Sequence, residues 1–286
     1  MPYILLAATL WGLLGPVATV AMRAGVTALE VAFWRAAIAG ALFAVHALLR
    51  RRGRVAARDL PAVGAFGLVG VSLFYASYLL AVQRGGAALA AVLLYTAPAW
   101  VAVLARLMLG ERLTARRAGA VALTVGGVAL VALAGGGAVR LRADALLWGL
   151  AAGWSYALYY IFGRRFFTRY DAATVLAVAL PVGAAGLLPF TSFTPKDAAA
   201  WGAIVFVAVV PTYLAYLLYA TGLRRVEATR AATLATLEPV VAAVAAYAAF
   251  GEVLAPAGYL GAAVVLAGVL LSAAEPRRED AAPARR

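Results

Sequence analysis

Cysteine is absent from this 286-residue chain, and histidine and lysine occur once each, as His46 and Lys196. The first absence excludes disulfide frameworks, thiolate-bound zinc and thiol nucleophiles. A lone histidine argues against histidine metal clusters and Ser-His triads, so neither a metal site nor a cofactor is expected. Charge is also scarce, on 13% of residues against about 25% in a soluble domain. What fills the chain is apolar: 65% of residues are hydrophobic and the mean hydropathy is +0.92, where soluble domains hold about 45–50% apolar residues. These values imply an all-α integral membrane protein. Ten crossings of roughly 20 residues each use most of the length, leaving no room for a separate soluble domain.

The apolar runs fall at roughly 3–22, 29–49, 60–83, 86–108, 116–135, 145–163, 172–190, 198–221, 228–250 and 256–273. The first begins at Tyr3 with no basic stretch before it and leads directly into further spans. A membrane span is expected there, not a cleaved signal. Basic residues alternate by connection. Nineteen of the 25 lie in the second, fourth, sixth and eighth connections and the C-terminal tail, five in the other connections, and Arg35 inside the second span. One loop alone holds Arg50, Arg51, Arg52, Arg54 and Arg58, and the tail holds Arg277, Arg278, Arg285 and Arg286. The positive-inside rule then places both termini in the cytoplasm. An arginine- and alanine-rich composition points to a GC-rich bacterial genome, hence to the bacterial inner membrane. The net charge of +13 thus reads as an orientation signal. It is spread over separate loops, whereas a nucleic-acid partner needs one basic face, so none is expected.

The two halves repeat. Tyr75-Ala76-Ser77-Tyr78-Leu79-Leu80 returns as Tyr213-Leu214-Ala215-Tyr216-Leu217-Leu218. Pro98 precedes Gly110-Glu111-Arg112-Leu113 as Pro239 precedes Gly251-Glu252-Val253-Leu254, with 13 positions from Pro to Glu in both copies. Trp11 has Trp154 as its counterpart. Five spans per half is an odd number, so the second copy enters the membrane in the opposite sense. The expected division is 1–137 and 144–274 as two inverted five-helix repeats, ten transmembrane helices in all, followed by a basic cytoplasmic tail at 275–286. Inverted repeats are a hallmark of secondary transporters, where two copies exchange conformations to open a midplane site to each side in turn.

Leu10-Trp11-Gly12, Phe33-Trp34-Arg35, Tyr75-Ala76-Ser77-Tyr78, Pro98, Gly110-Glu111-Arg112-Leu113 and the glycines Gly119, Gly126 and Gly127 stand in order along the first half. Leu237-Glu238-Pro239 and Gly251-Glu252 follow in the second. In these residues the chain resembles the drug/metabolite transporter superfamily, specifically its ten-helix EamA-type members, and among them most resembles the YddG-type exporters of aromatic and neutral amino acids. The resemblance implies export of small neutral or aromatic amino acids and related metabolites by alternating access. Efflux of drugs or other metabolites on the same fold is the alternative. A membrane enzyme finds no support, for there is no HExxH, no paired intramembrane aspartate, no nucleophile with a base and no phosphate loop.

Candidate site residues follow from depth. Interfacial belts account for aromatics at span ends but not for Trp11, Tyr75, Tyr78, Tyr95, Trp154 and Tyr213, which lie at interior depths. Trp100, Tyr156, Tyr159, Tyr160, Tyr216 and Tyr219 extend the set. An aromatic-walled cavity suits flat or apolar side chains and can take a cation on a ring face. Glu238 is the one carboxylate near the centre of a span, where charge costs about 2.5–3.5 kcal/mol on insertion scales. It is expected to meet a substrate ammonium or carry a proton. Pro98 and Pro239 each remove a helical N–H and are the candidate hinges. Arg35 is expected to snorkel outward or approach Glu30 as a structural anchor, and His46 to lie at the interface. Partners are then the small-molecule substrate and membrane lipid, with the chain a monomer or a weak homodimer held by small-residue faces at Gly126, Gly127 and Gly268.

Overall fold

The structure, a computed structural model, describes residues 1–50, 54–85, 87–134, 142–250 and 255–274. The glycine connector at 135–137, the Gly251-Glu252 pair and the tail at 275–286 lie outside the described residues. Helix runs through almost all of the rest, and no strand occurs among the described residues. In hydrocarbon every backbone N–H and C=O needs a partner within its own segment, which the helix supplies. The apolar runs become helical segments at 2–23, 28–50, 57–85, 87–108, 115–134, 143–166, 172–190, 198–223, 228–250 and 256–273, spans one to ten in chain order. Among the described residues, eight helices are long and apolar enough to cross a membrane, and a shorter apolar helix, Val92–Met108, serves span four.

The polar connections sort to two ends of the bundle. Arg84 Nη1 meets Asp144 Oδ2 at 2.5 Å and Lys196 pairs with Glu30 at one end. Arg169 Nη1 meets Asp59 Oδ2 at 3.2 Å and Arg117 pairs with Glu227 at the other, arginine-rich end. There the buried Glu111 turns inward after Gly110, whose φ of +68° favours a residue without Cβ. Its carboxylate accepts from the N–H groups of Ala228 and Thr229, at 2.7 and 3.2 Å, and from Thr229 Oγ1 at 2.8 Å. Glu111 therefore caps the start of span nine from the connection between spans four and five, satisfying donors that a helix N-terminus leaves open.

Among the described residues, five spans are interrupted within their length by a break or a π turn. Span one breaks at Leu13, span four between Leu94 and Ala97, and span nine between Ala235 and Glu238. Spans three and eight each contain a π-helical turn, at Leu68–Leu73 and Val209–Leu214. Pro98 and Pro239 sit at the second position of the new helices Ala97–Met108 and Glu238–Phe250. There the missing N–H would have had no helical partner in any case. The Thr96 and Thr236 hydroxyls close each break by donating to the carbonyls of Leu93 and Thr233, at 2.6 and 2.5 Å.

The two π turns lie 141 positions apart, as do the two prolines. Gly12 and Gly153 have the same offset and play the same part. A Cβ on Gly12 would lie 2.8 Å from the Glu238 carbonyl oxygen, and one on Gly153 would lie 2.6 Å from that of Leu93. Each glycine thus lets its span press on the broken span of the other half. In this register Tyr75 corresponds to Tyr216, Tyr78 to Tyr219, and Trp11 to Ala152. This corrects the sequence pairing of Tyr75 with Tyr213 and of Trp11 with Trp154. A Tyr-x-x-Tyr pattern matches itself after a shift of three, and only the backbone landmarks choose between the registers.

Candidate substrate site

The site begins at the π turn of span eight. Pro211 has no N–H, so the Val207 carbonyl four residues earlier loses its usual donor. The Thr212 hydroxyl takes that place, donating to Val207 O at 2.7 Å. Its lone pair accepts from Arg35 Nε on span two, also at 2.7 Å. Arg35 Nη2 reaches Tyr216 Oη at 3.5 Å, and the guanidinium lies 5.0 Å from the Tyr75 ring centre. Arg35 is buried, and it neither snorkels nor approaches Glu30. Five positions apart, the two side chains leave the helix on different faces. Glu30 is engaged instead by Lys196 and by the Thr194 hydroxyl at 2.8 Å.

From Arg35 a wall of rings crosses the interior. Tyr75 packs on Phe74 at 5.1 Å, Phe74 stacks on Tyr156 at 5.0 Å, and Tyr156 meets Tyr160 edge-on at 5.1 Å. Tyr160 continues to Tyr219 at 5.6 Å, and Tyr219 to Trp11 at 5.3 Å. Tyr159 and Tyr216 close the ring set at 5.4 Å. Tyr156 Oη donates to Glu238 Oε2 at 3.4 Å. Arg35 and Glu238 thus adjoin the same tyrosine cluster, Arg35 against Tyr75 and Tyr216 and Glu238 against Tyr156. Tyr75, Tyr78, Tyr156 and Glu238 keep accessible surface while packed deep in the bundle, as groups facing an interior space do.

Three polar groups within the cluster, Trp11 Nε1, Tyr159 Oη and Tyr219 Oη, have no hydrogen-bond partner among the described residues. An unsatisfied buried donor costs about 1–3 kcal/mol, a poor arrangement for a core but suitable for a surface that receives polar ligand atoms.

Of the expected residues, Trp11, Tyr75, Tyr78, Tyr95 and Glu238 gather here. Tyr213 does not. It turns instead to the part of span two nearer the arginine-rich end, with its hydroxyl 2.6 Å from His46 Nδ1 and its ring 4.7 Å from Phe43. Trp100 and Trp154 are 36% and 40% exposed and join no ring contact among the described residues. Each helical residue turns the side chain by about 100°, so Trp154, two places beyond the position equivalent to Trp11, faces away. Position along a span does not tell which face of the helix an aromatic occupies. The sequence reading places Arg35 outward or beside Glu30, and the signal for its inward turn is Pro211-Thr212 on span eight, which it reaches. Among the described residues no three His, Cys, Asp or Glu side chains gather as a metal site would require.

The family comparisons agree with this architecture. The EamA-like transporter family matches residues 1–133 and 144–274. An uncharacterized transporter of Archaeoglobus fulgidus is 31% identical over 91% of this chain and 92% of its own. A probable terminal-alkyne amino-acid exporter of Streptantibioticus cattleyicolor is 28% identical over 82% of this chain and 80% of its own. A solved crystal structure shares the fold with a TM-score of 0.81 at 19% identity, over 94% of both chains. A membrane-embedded helical bundle, a charged and tyrosine-walled interior, and a family match over both halves lead to one conclusion: the chain belongs to the EamA-like transporter family.

Proposed function

We propose that this transporter exports small neutral or aromatic amino acids and related metabolites by alternating access across a bacterial inner membrane, with both termini cytoplasmic. The observation that carries the reading is the placement of a guanidinium, Arg35, and a carboxylate, Glu238, on one tyrosine cluster. A zwitterionic amino acid presents a carboxylate to the guanidinium and an ammonium to the carboxylate, while the rings accept its side chain. The orphaned donors at Trp11, Tyr159 and Tyr219 supply hydrogen bonds for the rest. The name of the amino-acid exporter from Streptantibioticus cattleyicolor points the same way. The breaks before Pro98 and Pro239 serve as hinges, since each ends one helix and starts another at the depth of the cluster. The five-span repeats, 1–137 and 144–274, are the moving units.

The test is release of radiolabelled phenylalanine, methionine or threonine from proteoliposomes. Saturable release is expected, competed by free amino acids but far less by their methyl esters or N-acetyl derivatives. Arg35→Gln should abolish it. Equal competition by the esters, or by uncharged drugs alone, would overturn the zwitterion reading and leave a general efflux carrier. A reporter fused after Arg286 should be active only in the cytoplasm.

A further inference from the structure

At the arginine-rich end, a cleft of about 170 Å³ opens between the ends of spans two, seven and eight, lined by His46, Arg50, Asp171, Leu217, Thr221 and Arg224 among others. None of the substrate-cluster residues lines it, and it lies outside that cluster. We infer that this cleft binds the phosphate of an anionic glycerophospholipid from the surrounding leaflet.

Four observations support it. Arg50 is exposed and makes no hydrogen bond or ion pair among the described residues. Arg224 is anchored by Nε and Nη2 on the carbonyls of Phe167 and Tyr170, at 2.6 and 3.1 Å, which fixes its guanidinium at the cleft with Nη1 uncommitted. His46 is held by Tyr213 through Nδ1 at 2.6 Å, leaving Nε2 for a ligand. Beside this polar stripe, Val45, Leu48 and Leu49 on the same helix are 54%, 76% and 78% exposed. A headgroup in the cleft would lay its acyl chains along these residues. The one carboxylate there, Asp171, turns Oδ1 to the Ala173 N–H at 3.0 Å, so its charge sits against a helix N-terminus. Two guanidiniums therefore dominate the field that a phosphate meets, the pattern by which basic pockets between spans hold anionic lipid. Tyr213, which holds the lining residue His46, belongs to the same π turn as Thr212, so the cleft is linked to the turn that holds Arg35.

The experiment is native mass spectrometry of the full chain in detergent, titrated with phosphatidylglycerol or phosphatidylcholine. Phosphatidylglycerol should bind at least tenfold more tightly. Arg50→Ala should weaken it about fivefold, the effect of one basic residue near an anionic headgroup, with phosphatidylcholine unchanged. Arg54→Ala, an exposed arginine outside the cleft, should leave both unchanged. Arg50 has no partner among the described residues, so the variant is expected to keep its fold, and unaltered melting checks this. Equal retention of the two lipids, no effect of Arg50→Ala, or displacement of phosphatidylglycerol by millimolar inorganic phosphate would each overturn the proposal.

Discussion

Arg35 and Thr212, 177 positions apart, share a 2.7 Å hydrogen bond in which the threonine accepts from Nε while donating to the carbonyl that Pro211 leaves without its helical donor. A backbone irregularity in span eight is thereby converted into an aimed cation on span two. π turns often mark functional positions in helices, and here the reason is visible in the hydrogen bonds.

Thr212→Val should separate these roles from plain packing. It leaves the Val207 carbonyl unsatisfied and Arg35 without its Nε acceptor, at about 1–3 kcal/mol. Melting in detergent should fall, and the half-saturating amino-acid concentration in proteoliposomes should rise at least tenfold. Thr212→Ser keeps the hydroxyl and should restore both.

Trp11 and Trp154 give opposite expectations. Trp11 packs on Tyr216 and Tyr219 at 5.9 and 5.3 Å, so Trp11→Ala should reduce amino-acid flux by an order of magnitude or more. Trp154→Ala removes an exposed side chain outside the ring network, and flux should stay within twofold. The reverse order of effects in a side-by-side flux assay would restore the assignment made from sequence.

Gly12→Ala probes the contact between the halves. Its Cβ would approach the Glu238 carbonyl oxygen to 2.8 Å and Val241 Cβ to 2.7 Å, and overpacking of this kind costs about 1–3 kcal/mol. A lower melting temperature and slower flux are expected. Gly126→Ala meets nothing within 4 Å and should melt as the parent does.

Lys196 and Glu30 form a covered ion pair beside Trp34 and Trp201, whose ring centres lie 5.7 and 5.3 Å from the ammonium. Lys196→Met strands the Glu30 charge, at about 1–3 kcal/mol for a site at the end of the bundle. Adding Glu30→Gln should recover much of that loss in a double-mutant cycle. Strictly additive losses would show that the two groups do not interact.

Much of this was legible in the residues. Composition required spanning helices, and the prolines and Gly-Glu pairs revealed the duplication. The depth of Trp11, Tyr75, Tyr78, Tyr95 and Glu238 placed them at the level of the site. Azimuth was not legible, as Tyr213, Trp100 and Trp154 show. In a soluble helix, polar and apolar faces reveal which side points inward. In a membrane, lipid is as apolar as the core, so both faces of a span read alike.

The sequence by itself therefore determined that this chain crosses the membrane as helices and carries two related halves, because burying backbone polar groups in hydrocarbon leaves little other choice. Only the tertiary structure decided the register of the repeat, the inward turn of Arg35 and the departure of Tyr213 from the cluster. Those outcomes depend on one extra residue in a helical turn and on two glycines close to another span's backbone. Such contacts are made between segments more than a hundred positions apart, where local pattern carries no information.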